Sequence, residues 1–247
     1  MRIAVISDIH GNLPALEAVL EDLADAEIDE VWCLGDVVGY GAQPDECTRL
    51  VSERAEVCLV GNHDLAVLDA LDVSTFSPAA AEAVRWTQVH AATETLDFLR
   101  ALEPLDESRE VGLYHASPRD PIWEYVLSEQ QATENIAEQP KRICLIGHSH
   151  VALFFVVPDA GPLAGQTRFG QGGVGTRLEL PGGRWLINPG SVGQPRDGDP
   201  RAAWLELDTG EWNATYHRVA YDIDRAAAAI VAAKLPGHLA RRLYAGQ

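Results

Sequence analysis

Basic residues are scarce in this chain: 19 Lys and Arg stand against 37 Asp and Glu, a formal net charge of −18. Phosphate backbones are gripped through Lys and Arg, so sequence-independent binding of DNA or RNA is disfavoured. Any anionic substrate must meet a local exception to the acidic surface. No apolar run approaches the roughly 18–20 residues that cross a bilayer, and Met1 leads straight into strand-like sequence rather than a charged leader. The expectation is a cytoplasmic protein with no membrane partner. Cysteine is also sparse. Cys33, Cys58 and Cys144 sit in apolar runs and Cys47 in a polar stretch, with no Cys-x-x-Cys spacing. Neither a disulfide framework nor a thiolate zinc site is indicated. What the chain does have is apolar content, 47% of 247 residues, which supports a substantial core and excludes a wholly disordered chain.

Short β-branched runs alternate with helical patterns through the first half, the signature of βαβ units and a largely parallel sheet. Strands are expected at Arg2–Ser7, Val31–Leu34, Glu56–Val60, Val111–Tyr114 and Arg142–Ile146, and helices at Leu13–Ala26, Pro44–Arg54 and Ser128–Glu138. The excursion from Leu65 to Leu102 reads as mostly helical, broken near Ser77-Pro78, and is a candidate cap or lid. Beyond His150 the texture turns to strands separated by Gly and Pro, among them Gly175–Leu180 and Trp185–Ile187 around Pro181-Gly182-Gly183, which suggests antiparallel hairpins. Asp159–Gly173 reads as a mobile surface loop, and a helical tail begins at Ile223. With no repeat or linker, one domain over residues 1–247 is the expectation.

Five of the expected strands end in the same way. Asp8-Ile9-His10, Gly35-Asp36, Gly61-Asn62-His63-Asp64, His115 and Gly147-His148-Ser149-His150 each follow the last apolar residue of a strand. In an open α/β sheet ligands bind outside the carboxyl ends of the strands, so these groups would converge on one crevice. Gly35, Gly61 and Gly147 would let the chain turn sharply there. Asp, Asn and His without thiolate suit divalent ions such as Mn²⁺, Fe²⁺, Zn²⁺, Ni²⁺ or Mg²⁺. A central carboxylate can bridge two of them about 3.5–4 Å apart. Two carboxylates against two dications leave a site charge of roughly +2, the local exception that the acidic surface demands.

In order and spacing these five motifs resemble the calcineurin-like metallophosphoesterase superfamily, over Met1 to about Ser191. Gly35-Asp36-Val37-Val38-Gly39-Tyr40-Gly41 and Asn188-Pro189-Gly190-Ser191-Val192-Gly193 resemble its small bacterial and archaeal phosphodiesterases and phosphatases. The resemblance implies a four-layer αββα sandwich of two mixed β-sheets flanked by helices. It implies a first metal held by Asp8, His10 and His150, a bridging Asp36, and a second metal held by Asn62, His115 and His148. Manganese is the first choice for both ions. His63 would act at the scissile bond as general acid or transition-state stabiliser, with Asp64 orienting its ring. The implied reaction is hydrolysis of a small phosphomonoester or phosphodiester by in-line attack of a metal-bound hydroxide.

Other residues weigh less. Arg119 and Arg196 lie in loops that could face the crevice and fork onto phosphate oxygens, and Tyr40 or Trp123 could stack on an aromatic group; solvated arginines and packed aromatics are the plain alternatives. Two further functional readings stay open, a nuclease of the same superfamily and a binding scaffold that has lost catalysis.

Overall fold

In the computed structural model, which describes residues 1–247, the strands form two mixed six-stranded sheets. The first strand β1 (Arg2–Ile6) is buried from Ile3 onward, as a run of β-branched and small residues must be when both faces are covered. Helix α1 (Leu13–Asp25) starts where Asn12 caps it by accepting from the Ala15 amide, with Pro14 in its first turn. Its Leu13, Leu16, Val19 and Leu23 recur at helical spacing and are buried against the sheet. Strands β2 (Glu30–Cys33) and β3 (Val57–Cys58) follow in parallel, with α2 (Pro44–Arg54) between them. β11 (Ala202–Asp208), β12 (Asn213–Val219) and β9 (Arg177–Glu179) complete that sheet in antiparallel fashion, in the order β3-β2-β1-β11-β12-β9.

The second sheet has the order β4-β5-β6-β10-β7-β8. Its parallel centre is β5 (Gly112–Tyr114), β6 (Ile143–Leu145) and β10 (Arg184–Pro189); β4 (Leu105–Asp106) and β7 (Ala152–Val157) run antiparallel to it, and β8 (Arg168–Gln171) pairs antiparallel with β7. Ile3, Val5, Leu205 and Leu207 of one sheet meet Leu113, Leu145 and Ile187 of the other in the core between them. Each such side chain, removed from water, contributes about 1.5–3 kcal/mol. Outside the first sheet lie α1, α2 and the later helices; outside the second lies α6 (Glu129–Glu138), whose Ala132 and Ile136 pack against Tyr114, Phe155 and Leu186. The result is the four-layer αββα arrangement.

The expected excursion resolves into α3 (Asn62–Val67), a 3-10 turn (Val73–Thr75), α4 (Pro78–His90) and α5 (Thr93–Arg100). Ala66, Val67, Val84 and Leu99 from it are buried in the same core as α1. The tail is a pair of helices, α7 (Ile223–Ala232) and α8 (Gly237–Leu243). No helix is long and apolar enough to cross a membrane.

Three expectations are corrected. The segment Asp159–Gly173 is not loop throughout, because β8 within it pairs with β7 as an edge strand. Pro181-Gly182-Gly183 does not join a hairpin: β9 and β10 belong to different sheets. Charged Arg177 and Glu179 flank a single buried Leu178, which suits an edge, whereas Leu186 and Ile187 are wholly buried and demand a centre. The N-terminal sheet is parallel only in its first three strands. Cys47, despite its polar neighbours, is buried on the inner face of α2. All four cysteines are free thiols.

Candidate active site

The carboxyl ends of β1, β2, β3, β5 and β6 lie along one rim, and the loops leaving them carry every ligand candidate. Asp8, His10, Asp36 and His150 bring one ligand atom each to within 4.8 Å of one another, and Asp36, His115 and His148 do the same beside them, all buried. Asp36 is common to both groups. Asn62 joins the second: its Oδ1 is 3.2 Å from His115 Nε2.

Three imidazoles are locked the same way. His10, His115 and His150 donate from Nδ1 to the carbonyl oxygens of Val38, Leu34 and Gln194, at 3.1, 2.9 and 2.7 Å. A carbonyl can only accept, so the proton sits on Nδ1 and each Nε2 keeps a lone pair facing inward. His148 bonds through Nε2 to the Trp123 carbonyl at 3.2 Å, which leaves its Nδ1 for the site. Burial pushes His10, His148 and His150 well below the ordinary histidine value, so these rings are neutral.

The carboxylates are divided between protein and site. Asp8 Oδ2 accepts from Ser7 Oγ at 2.7 Å and from the His148 amide at 3.0 Å, while Oδ1 is buried with no hydrogen-bond partner. Asp36 Oδ1 accepts from the His63 amide at 2.8 Å, and its Oδ2 is likewise orphaned. That oxygen lies 3.5 Å from His10 Nε2 and 3.6 Å from His115 Nε2, between the two groups. His10 Nε2 and His150 Nε2 face one another at 3.0 Å. Lone pairs pointed at lone pairs and at unpaired carboxylate oxygens are unfavourable by themselves, at about 1–3 kcal/mol per unsatisfied group and more for charged ones. Divalent cations resolve every one of these conflicts, so the residues present fit a pair of metal ions. Burial raises the Asp8 carboxyl to about 7, and burial with the charge of Asp64 raises Asp36 well above the carboxylate range.

Backbone geometry carries the same mark. Asp8, His10, Asp36, His148 and His150 all have φ between 52° and 62°, a left-handed conformation that costs a non-glycine residue about 1 kcal/mol or more. The expected sharp turns hold at Gly35, whose φ is +97°. Gly61 and Gly147 serve differently, by close approach: a Cβ on Gly61 would collide with Asp36 Oδ1, and one on Gly147 would collide with Ser7 Oγ.

His63, at the start of α3, is buried with its Nδ1 unpaired. Its ring centroid is 4.4 Å from that of Tyr40, 4.8 Å from His10 and 5.1 Å from Phe76, and burial keeps it neutral. Asp64 does not orient that ring. Its carboxylate is taken up by the amides of Gly61, Val37 and Val38 at 3.0, 3.2 and 2.9 Å. It therefore stitches the Asn62 loop to the Asp36 loop. Arg119 is also corrected: its guanidinium is engaged by Glu134, with Glu124 and Glu138 within 4 Å, beside α6. Arg196 and Tyr40 do reach the site. The Arg196 amide donates to the His150 carbonyl at 3.0 Å, and its Nη2 lies 3.4 Å from Tyr40 Oη. Trp123 contributes its carbonyl to His148 and sets its ring edge-on to Phe76.

Sequence reasoning missed several supporting groups. Asn188 donates to the Gly147 carbonyl and Ser149 Oγ, and Ser191 Oγ donates to the Asp8 carbonyl. The Asn188-Pro189-Gly190-Ser191 string was the available signal. Tyr125, stacked on His148 with centroids 4.1 Å apart, and Arg242, beside Tyr40, had no such signal.

Residues 1–210 match the calcineurin-like phosphoesterase superfamily domain. The chain belongs to that superfamily. It is therefore a phosphoric ester hydrolase by descent. It is 38% identical over 250 residues to an uncharacterized protein of Methanocaldococcus jannaschii, covering 99% of this chain and 98% of that one. It superposes on a metallophosphoesterase from Sphaerobacter thermophilus with a TM-score of 0.89 and 39% identity, covering 100% of this chain and 99% of the other. A symmetrical bis(5'-nucleosyl)-tetraphosphatase of Pseudomonas fluorescens is 30% identical over 131 residues, but that match covers only 47% of this chain and 41% of the relative.

Proposed function

We propose that this phosphoesterase holds two divalent ions, manganese being the first choice, and hydrolyses a small phosphomonoester or phosphodiester. The observation that carries the reading is the pair of orphaned oxygens, Asp8 Oδ1 and Asp36 Oδ2, set among four inward-facing imidazoles. Asp8, His10 and His150 would hold one ion, Asn62, His115 and His148 the other, and Asp36 both. Bound there, the ions lower the pKa of water and offset the charge that develops on the phosphoryl oxygens.

The chain's own contribution is positioning and proton control. Val38, Leu34 and Gln194 fix the tautomers of three ligands, so no rearrangement is needed to receive a cation. His63, neutral and unpaired at Nδ1, can hold a proton near the leaving oxygen without competing for it through another hydrogen bond. Phe76 and Tyr40 pack around its ring and exclude water from that side. The partial likeness to tetraphosphatases favours a phosphorylated small molecule over a nucleic acid, as does the net charge of −18.

The direct test is hydrolysis of p-nitrophenyl phosphate and bis-p-nitrophenyl phosphate with added Mn²⁺. Turnover of either that a chelator abolishes and Mn²⁺ restores supports the reading; stoichiometric metal with no turnover of either would favour the scaffold alternative. Metal uptake should also depend on pH in a defined direction. Asp8 titrates near 7 in the metal-free protein, so below that pH an entering ion must displace its proton, and above it none. Affinity should therefore weaken as pH falls from 8 to 6, approaching about tenfold per unit for each proton displaced. Calorimetry in buffers of different ionisation enthalpy reads the protons released. A release that stays at zero at pH 6 would contradict the assignment of Asp8 as a ligand.

A further inference from the structure

His148 is held differently from the other three imidazoles. His10, His115 and His150 give Nδ1 to a carbonyl and present Nε2, whereas His148 gives Nε2 to the Trp123 carbonyl at 3.2 Å and presents Nδ1. The loop that supplies this carbonyl runs from the end of β5 to the start of α6 and has no helix or strand of its own. Within it Asp120 Oδ1 takes the amides of Ile122 and Trp123 at 3.1 and 3.0 Å. Two residues on, Tyr125 lies against the His148 ring with centroids 4.1 Å apart. Between Trp123 and Tyr125 stands Glu124. One oxygen of its carboxylate, Oε2, accepts from Ser117 Oγ at 2.6 Å and from Asn135 Nδ2 at 3.0 Å. Asn135, on α6, is wholly buried; it also donates to the Gln131 carbonyl at 3.0 Å and accepts the Arg119 amide on Oδ1 at 3.1 Å.

The Trp123 carbonyl belongs to the planar peptide unit that joins Trp123 to Glu124, so its direction follows from where both residues are held. Asp120 fixes the Trp123 side. The Glu124 carboxylate fixes the other, to Asn135 on α6 and to Ser117 near the start of the same loop. A connecting loop held only by its own turns opens locally at little cost; a tie to a buried side chain on the outer helix removes that freedom. The other carboxylate oxygen lies 3.7 Å from Arg119 Nη1, and with a third of that arginine exposed the pair adds little to these bonds. Without the tie the His148 ring can turn about its Cβ–Cγ bond and carry Nδ1 away from the group it forms with Asp36 and His115. Partners that orient a metal-binding histidine are worth about 10- to 100-fold in metal affinity.

We propose that Glu124 is a positioning residue for His148: through Ser117 and Asn135 it holds the Trp123 carbonyl and the Tyr125 ring where together they aim Nδ1 at the second ion. The inference rests on His148 being a ligand of that ion.

The first test needs no metal. In metal-free protein labelled with ¹⁵N-histidine, Glu124→Ala should quicken exchange of the His148 Nε2 proton with water about tenfold or more, leaving the Nδ1 protons of His10, His115 and His150 within about twofold. The second test reads affinity. In calorimetric titration with Mn²⁺, Glu124→Ala should weaken one ion about 10- to 100-fold and leave the other within about twofold. Glu124→Gln should stay close to the parent in both measurements, because both bonds fall on one oxygen and an amide carbonyl can accept both. In a His148→Ala background Glu124→Ala should cause no further loss of metal, an outcome that general damage to the fold does not give. A melting curve for each variant excludes misfolding. Ser117→Ala removes one of the two donors with less disturbance, and should weaken the same ion about threefold. Unchanged exchange and affinity in Glu124→Ala, equal weakening of both ions, or losses that add in the double variant would overturn the role. Faster exchange confined to His148 in a protein that takes up no Mn²⁺ supports the positioning while removing the metal reading.

Discussion

Asp36→Asn is expected to abolish turnover, by on the order of 10³-fold or more, the scale for removing a principal charge stabiliser from a transition state. The substitution is nearly isosteric, and the carbonyl oxygen of the introduced amide can still accept the His63 amide bond that Asp36 Oδ1 takes at 2.8 Å. What it removes is the negative charge at Oδ2, the one oxygen placed between His10 and His115. Bound metal should fall from two ions per chain to one or fewer, read by elemental analysis after Mn²⁺ loading. Stability should move the other way. A buried, unpaired carboxylate is costly, as the raised Asp36 titration shows, so metal-free Asp36→Asn should melt higher than the metal-free parent and gain less when Mn²⁺ is added. Two ions retained with full activity would show that the centre of the site has been misplaced.

The convergence of the candidate ligands is legible because each sits one to five residues past the end of a strand in the parallel half of its sheet, so position in the chain reports position on the rim. Asp8 and His10 after β1, His115 after β5, and His148 and His150 after β6 all obey this. The rule fails for side chains whose partners arrive from elsewhere. Nothing local to Arg119 announces that Glu134 and Glu138 on α6 face it, and the neighbourhood of Asp64 does not reveal that the Val37 and Val38 amides take its carboxylate. The same limit explains β9 and β10. Their turn is hairpin-like in composition, but which sheet a strand joins is decided by how much of it must be buried, a property of the assembled core.

The rim is also where local preference and global fold disagree. Five of the candidate ligand residues take left-handed backbone angles, two carboxylate oxygens lack donors, and Gly61 and Gly147 are required where any side chain would collide with Asp36 or Ser7. The surrounding structure over-determines these angles: the Ser191 hydroxyl and the Gly193 amide both hold the Asp8 carbonyl, and Asn188 holds that of Gly147. Such strain is sustained when a site must be ready before its ligand arrives. It also predicts where the protein is weakest without metal, since these unfavourable contacts lie at one rim while the two cores beneath are built of buried apolar side chains.

His63→Ala should separate binding from chemistry. His63 contributes its amide, not its ring, to Asp36, and alanine preserves that bond. Metal content should therefore stay at the parental value while kcat falls by about 10²- to 10⁴-fold, the range for a single positioned acid–base group. The loss should depend on the leaving group. A p-nitrophenolate departs readily without a proton, so its esters should suffer least, whereas an alkyl phosphate, whose alkoxide must be protonated as it leaves, should suffer most. His63→Gln, which keeps a hydrogen-bond donor but cannot transfer its proton, should recover part of the rate for p-nitrophenyl phosphate and little for the alkyl ester. Equal losses on both esters would instead assign His63 to stabilising charge on the phosphoryl oxygens. Unchanged kinetics on both would remove it from the mechanism and leave the unpaired Nδ1 as a consequence of packing against Gly39, where an added Cβ would stand 2.6 Å from that nitrogen.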